Sequence, residues 1–209
     1  MLCLSQFTKS YGALTVLKID QLQFEPGIHW IRGENGSGKT TLFKSLSGLL
    51  PCEGSVTLGD IDLHRQPVDY RRRVNYSEAE PLYPGFLTAK DLVRFVGKAK
   101  GADIPQQSEL VSRFGVIRYF EHPCETFSSG MIKKLSLVLA FLGQPDVVIL
   151  DEPLITLDEA ARKVLFAIVD ERLREKPMIF LVSSHQPFEA GALRINHEYV
   201  VSNQTVTRL

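Results

Sequence analysis

One octapeptide constrains this chain more than any other feature: Gly33-Glu34-Asn35-Gly36-Ser37-Gly38-Lys39-Thr40. The run Ile28-His29-Trp30-Ile31 before it reads as a buried strand, and Leu42, Ser45 and Leu46 after it fall at helical spacing. Strand, glycine loop and helix in that order form the context in which such a loop cradles phosphate. Phosphate oxygens must approach several backbone N–H groups at once, and glycines at 33, 36 and 38 clear side chains from that approach. The helix starting near Lys39 adds unpaired N–H groups and its positive dipole end. Lys39 supplies a point charge to the β and γ phosphates of a nucleoside triphosphate, and the Thr40 hydroxyl is placed to ligate the accompanying Mg²⁺. Glu34, Asn35, Ser37 and Thr41 complete the nucleotide-binding candidates around this loop.

At 209 residues the chain is long enough for one large α/β domain or for a domain with a modest inserted lobe. Lys plus Arg and Asp plus Glu both number 24, so no net field draws it to nucleic acid, and none is expected as a partner. Arg71-Arg72-Arg73 reads as a solvated surface triplet. Cys3, Cys52 and Cys124 are scattered and not spaced as metal ligands, which fits a reduced, cytoplasmic setting. The start of the sequence lacks the pattern of a secretory signal, and apolar runs such as Leu135 to Leu142 are far too short to span a bilayer. Any membrane role is therefore expected to pass through a partner.

Residues 2–8 and 14–25 alternate well enough for two strands, with Leu14, Val16, Leu22 and Phe24 as inward candidates and Lys9-Ser10-Tyr11-Gly12 as the turn between them. Ser55-Val56-Thr57-Leu58 reads as another strand, and Pro81 to Gly85 as an enforced loop after a charged stretch at 71–80. Thr88-Ala89-Lys90-Asp91 has capping-box form, with Leu92, Phe95, Val96 and Ala99 recurring at helical spacing up to Gly101. Residues 102–127 read as one short helix and loops. Ile132, Leu135, Leu139 and Leu142 mark a helix ending at Gly143. Val147-Val148-Ile149-Leu150 and Met178 to Val182 read as strands buried on both faces of a parallel sheet, with a long helix from about Asp158 between them. Residues 194–208 read as two strands around Asn203-Gln204. The expected fold is α/β: a P-loop core with a mainly parallel sheet, an N-terminal antiparallel β subdomain and an inserted helical subdomain. It forms a single domain, 1–209, with the core at 1–85 and 143–209 and the helices at about 86–142.

Open parallel sheets bind ligands at the carboxyl ends of their strands. Three predicted strands end in polar residues there: the P-loop, Asp151-Glu152 and His185. Asp151 has the position of a Walker B aspartate holding Mg²⁺, and Glu152 beside it is free to accept a hydrogen bond from an attacking water.

Taken together, these residues resemble the ATPase subunits of ABC transporters. The likeness covers nearly the whole chain: Tyr11 before a glycine, the P-loop, Leu82-Tyr83-Pro84 with Leu87-Thr88, Phe127-Ser128-Ser129-Gly130-Met131, Asp151-Glu152-Pro153, Leu157-Asp158 and His185. In its compact length the chain is most similar to small exporter-type subunits, including those of haem export. The resemblance implies that Tyr11 stacks on adenine, that Glu152 is the general base or water-orienting group, and that His185 contacts the γ-phosphate and the water. It implies that Ser128 and Gly130 grip ATP bound to an opposite subunit, so that two ATP are sandwiched in a homodimer or pseudo-dimer, with Leu157-Asp158 coupling the two sites. It also implies a transmembrane permease on a separate chain, and hence a cytoplasmic location peripheral to the inner face of the cell membrane.

Two departures stand out. The family's signature, Leu-Ser-Gly-Gly-Gln, has Ser129 for its first glycine and Met131 for its glutamine, which predicts weaker closure on phosphate. Ser128 or Ser129 would serve equally as a plain helix cap. Where the family has a Mg²⁺-ligating glutamine, counting back from Leu82-Tyr83-Pro84 gives Glu78 and counting forward from Val74-Asn75-Tyr76 gives Ala79; Glu78, with its oxygen donors, is the chosen metal ligand. The alternatives to a transporter ATPase are a soluble ATPase remodelling a cytoplasmic complex and an ATP-dependent dimerising clamp with little turnover.

Overall fold

The computed structural model describes residues 1–184 and 193–209. A six-stranded sheet runs in the order β10 (Thr205–Arg208), β9 (Ile195–Ser202), β3 (Gly27–Arg32), β8 (Ile179–Ser183), β7 (Val147–Leu150) and β6 (Val74–Ser77). All neighbours pair in parallel except the β9–β10 hairpin. A second, antiparallel sheet has the order β2 (Leu14–Phe24), β1 (Leu2–Tyr11), β4 (Glu53–Leu58) and β5 (Ile61–Asp62). The helices are α1 (Lys39–Leu46), α2 (Pro67–Arg73), α3 (Ala89–Lys100), α4 (Ile104–Arg113), α5 (Ser129–Phe141) and α6 (Glu159–Glu175). The expected α/β fold, with its antiparallel sheet and inserted helices, is the one found.

The apolar runs of β7 and β8 are continuous because each strand feeds two cores. Val148, Leu150, Phe180 and Val182 join one apolar cluster with residues of α3, α4, α5 and α6. Val147, Ile149, Ile179 and Leu181 point the other way, into a cluster with Leu4, Phe7, Leu17 and Phe24 of the antiparallel sheet and Leu42, Phe43 and Leu46 of α1. Side chains alternate across a strand, so burial on both faces leaves no polar positions. Because β3, β6, β7 and β8 are parallel, their carboxyl ends share one edge.

Several local expectations need correction. β1 continues through Lys9, Ser10 and Tyr11, leaving only Gly12-Ala13 as the turn. Lys9 is tolerated inside the strand because its Nζ donates to the Pro51 carbonyl at 2.8 Å. Leu14 is exposed at the mouth of β2 and Val16 only half-buried, while Leu17, Ile19, Leu22 and Phe24 point inward. α3 has the predicted capping box at Thr88 and Asp91 and a left-handed Gly101 at its end, but Phe95 and Ala99 face solvent. Leu92 is buried and Val96 packs against the core as the spacing suggests, with Ala89, Val93 and Gly97 completing the buried face. A Cβ on Gly97 would lie 2.7 Å from Gln107 Nε2, so α4 packs on the glycine face and selects it.

The charged stretch 71–80 contains two elements the residue pattern did not reveal. Arg71, Arg72 and Arg73 form the exposed last turn of α2, where the helix dipole favours cations. Val74-Asn75-Tyr76-Ser77 is strand β6, and its polar residues are satisfied by neighbours. Asn75 Nδ2 donates to the carbonyls of Ala140 and Leu142 at 2.8 and 2.9 Å, closing the end of α5. The Ser77 hydroxyl bonds that of Ser136 at 2.8 Å. β6 thus docks α5 onto the sheet through hydrogen bonds.

Candidate functional site

β3 delivers the chain into the glycine loop. Gly33, Gly36 and Gly38 have φ of +155°, +80° and +105°, and a Cβ on Gly33 would sit 2.5 Å from Ser37 Oγ and 2.7 Å from the Val201 carbonyl. The loop therefore requires glycine at 33 for space as well as for conformation. α1 begins at Lys39 with Gly38 as its N-cap, no side chain capping it and no acidic residue in its first turn. Its first N–H groups are thereby left for an anion. Ser37 Oγ is buried and has no hydrogen-bond partner among the described residues. Beside the loop a cavity of about 820 Å³ is lined by Leu14, Val16, Arg32, Gly33 to Ser37, Ser184 and the β9–β10 turn residues Asn203 and Gln204.

Lys39 is buried, its Nζ donating to the carbonyls of Gly33 at 2.7 Å and Glu34 at 3.0 Å. The Thr40 hydroxyl donates to Asp151 Oδ2 at 2.8 Å, uniting two of the three predicted Mg²⁺ ligands, one from α1 and one from the tip of β7. Tyr76 OH donates to the same oxygen at 3.3 Å, and burial beside Asp151 pushes its phenol far up. Asp151 Oδ1 accepts from Ser183 Oγ at 2.7 Å, and the Glu152 N–H donates to that same Ser183 Oγ at 2.9 Å. A hydroxyl and a carboxylate of this kind are hard oxygen donors suited to Mg²⁺. Glu152 is buried with φ +45°, a left-handed backbone rare outside glycine, and two anchored neighbours hold it.

The other predicted residues are spread around this centre. Tyr11 is 49% exposed at the end of β1, paired with Leu14 of the cavity wall, and Lys9 Nζ lies 4.8 Å from its ring centroid. Asn35 and Gly36 are exposed on the loop, and Thr41 is half-buried in α1. The Glu78 carboxylate pairs with Lys44 of α1 at 2.7 Å. Ser128 is the N-cap of α5, accepting from the Met131 N–H at 3.3 Å. Gly130 approaches the segment after β7, where an added Cβ would lie 2.9 Å from the Thr156 carbonyl. Ser128 and Ser129 are exposed, and Met131 packs inward. Asp158 caps α6 and pairs with Lys134 at 2.5 Å, a bond that holds its carboxyl below the usual range. His185 lies outside the described residues.

Residue reasoning missed Ser183, Tyr76 and Lys133. Ser183 was visible as a polar strand end beside His185, but nothing in the sequence tied it to Asp151. Lys133 is 1% exposed, and burial pushes its ammonium down to about 8 against the raising pull of Asp151, Glu152 and Glu78.

A glycine cradle at the head of a helix, a lysine within it, and a threonine bonded to an aspartate on a neighbouring strand tip define a P-loop nucleoside triphosphatase. The sequence matches the ABC transporter family over residues 17–155, and the chain belongs to that family as an ATP-hydrolysing domain. It is 30% identical over 199 residues to the ABC transporter ATP-binding protein NatA of Bacillus subtilis (strain 168), covering 91% of this chain and 80% of that protein. Among solved structures it is similar to the ATP-binding subunit of an ABC transporter, at 25% identity and a TM-score of 0.88, over 100% of this chain and 89% of that one. It shares its fold with a dimeric ATP-binding cassette in a post-hydrolysis state bound to ADP and Pi, at 17% identity and a TM-score of 0.83, covering 100% and 97%.

Proposed function

We propose that this chain is the ATP-hydrolysing subunit of a transporter whose membrane permease is a separate chain, and that it works as a dimer with Mg²⁺·ATP at each site. The observation that carries this reading is the network joining Thr40, Asp151, Ser183 and Glu152 at the foot of the glycine loop. Lys39 exchanges the Gly33 and Glu34 carbonyls for phosphate oxygens and neutralises charge as it develops. Glu152 takes the proton of the attacking water, with His185 beside the γ-phosphate. Thr40 and Asp151 hold Mg²⁺, which supplies charge neutralisation on the phosphates. Tyr11 stacks on the base, and Ser128 and Gly130 meet the ATP of the opposite subunit.

Among the described residues no helix is long and apolar enough to cross a membrane, which favours attachment through a partner at the inner face. The docking surface in this reading is the cleft between α3 and the core. It is lined by Leu49, Tyr76, Glu78, Leu82, Tyr83 and Val96, with Leu82 and Phe95 92% and 74% exposed. Large exposed apolar residues beside a cleft mark interaction surfaces. Co-purification with a polytopic membrane protein, lost in Leu82→Glu and Phe95→Glu, is the expected result. Retention of that protein by both variants contradicts the assigned surface, and purification with soluble complexes alone contradicts the permease.

A further inference from the structure

Lys133 stands in the second turn of α5, 1% exposed, with all three of its ammonium protons assigned to main-chain carbonyls. Nζ donates to Glu78 at 2.6 Å, to Asp151 at 2.9 Å and to Ala79 at 3.3 Å. A buried cation is a poor device for stability alone, since an apolar side chain of similar size is often as good or better. What distinguishes this one is where its acceptors lie. Two belong to the segment after β6, whose Glu78 carboxylate is meanwhile held by Lys44 of α1. The third belongs to the peptide between Asp151 and Glu152.

That peptide is pinned at both ends. Its carbonyl is held by Lys133 and its N–H by Ser183 Oγ, and it leads directly into the left-handed backbone of Glu152. A left-handed non-glycine residue persists only where its surroundings over-determine it. If the 151–152 peptide rotates, the Glu152 carboxylate leaves its place beside Asp151.

We propose that Lys133 is a positioning residue for ATP hydrolysis: it locks the 151–152 peptide in the orientation that presents Glu152, and ties that orientation to residues 78–79 and to α5. α5 begins at the Ser128–Gly130 segment, so movement of that segment and of the 78–79 loop both reach Glu152 through one side chain. The inference rests on the reading of Glu152 as the water-activating group.

The test compares Lys133→Met and Lys133→Arg with wild type in steady-state phosphate release. ATP affinity is measured separately by the fluorescence of Trp30, the chain's one tryptophan, whose Nε1 donates to the Ser184 carbonyl at the cavity. Lys133→Met is expected to lower kcat about 10–100-fold, the range typical of outer-shell partners of metal ligands. KM and Trp30-monitored affinity stay within about twofold, and Lys133→Arg recovers part of the loss. Combined with Ser183→Ala, the loss in kcat is expected to be smaller than the product of the single losses, because both groups hold one peptide. Should Lys133→Met fail to fold, Lys133→Gln, which keeps a donor, carries the same comparison. Unchanged kcat in a folded variant, an equal loss of ATP affinity, or full additivity with Ser183→Ala overturns the proposal. Wild-type protein without turnover at any concentration overturns instead the reading of Glu152.

Discussion

Removing the Ser183 hydroxyl perturbs the centre of the site without touching a group that meets substrate. Ser183 is fully buried, donates to the Asp151 carboxylate at 2.7 Å and accepts from the Glu152 N–H at 2.9 Å. A hydrogen bond to a carboxylate contributes about 1.5–3 kcal/mol, and a neutral one about 1 kcal/mol. Ser183→Ala should therefore cost about 3 kcal/mol, lowering Tm by roughly 6–12 °C for a chain of this size. It also frees Glu152 to leave its left-handed backbone, whose strain is of order 1–3 kcal/mol. If about half of the loss falls on the transition state, kcat drops roughly tenfold, since about 1.4 kcal/mol is one decade. Thermal unfolding with and without ATP, alongside phosphate release, reads both effects. A variant with Tm within a degree of wild type and full turnover would refute the assignment of Ser183 as the anchor of Asp151 and Glu152.

The glycines of the loop separate by cause. Gly36→Ala meets open space but must adopt φ +80°, so it should fold with a loss of about 1–2 kcal/mol, whereas Gly33→Ala collides with Ser37 and Val201 and should abolish soluble protein. Denaturant midpoints of both variants check the contrast. Tyr11→Ala should weaken ATP binding about 5–150-fold in a Trp30 titration, the range of base stacking worth about 1–3 kcal/mol. Lys100 donates from a half-buried Nζ to the carbonyls of Arg71 and Val74, and desolvation there pushes its ammonium down to about 8. The unfolded chain keeps that proton to higher pH than the folded one, so unfolding takes up a proton above about pH 8 and the stability contributed at this position rises with pH. Wild type should thus gain on Lys100→Met by about 1–2 kcal/mol between pH 8 and pH 10, measured by urea unfolding, after allowance for partial exposure.

How far the residues alone reached depends on whether burial or partnership decided the outcome. β7 and β8 were legible because two-sided burial removes every polar position, and α1 because the glycine loop can precede only a helix start. The capping box at Thr88 and the Asp158 cap were legible because the groups they satisfy lie within four residues. β6 was not, since its polar residues are satisfied by Ala140, Leu142 and Ser136, some sixty residues away. On α3, Leu92 and Val96 were legible, but Phe95 and Ala99 lie outside because α4 approaches at Gly97. At the site, Thr40, Asp151 and Glu152, expected from motif, are joined through hydrogen bonds of Asp151 and Ser183, while Lys39 turns back onto the loop carbonyls. Ser183 and Lys133 were hidden because their roles are hydrogen bonds to peptide groups, which leave no compositional trace. Glu78 was chosen by spacing and by its oxygen donors, and its pairing with Lys44 is a partnership no count of residues could reveal.

Lys39, Thr40, Asp151 and Glu152 are proposed to form one ATP-hydrolysing centre. Phosphate release by wild type and Glu152→Gln, with Mg²⁺ and with excess chelator, tests it most directly when dimerisation in ATP is followed by light scattering in the same samples. Wild type is expected to show Mg²⁺-dependent turnover, and Glu152→Gln a loss of turnover with a persistent ATP-bound dimer. Equal turnover in the two proteins, or turnover indifferent to Mg²⁺, would contradict it.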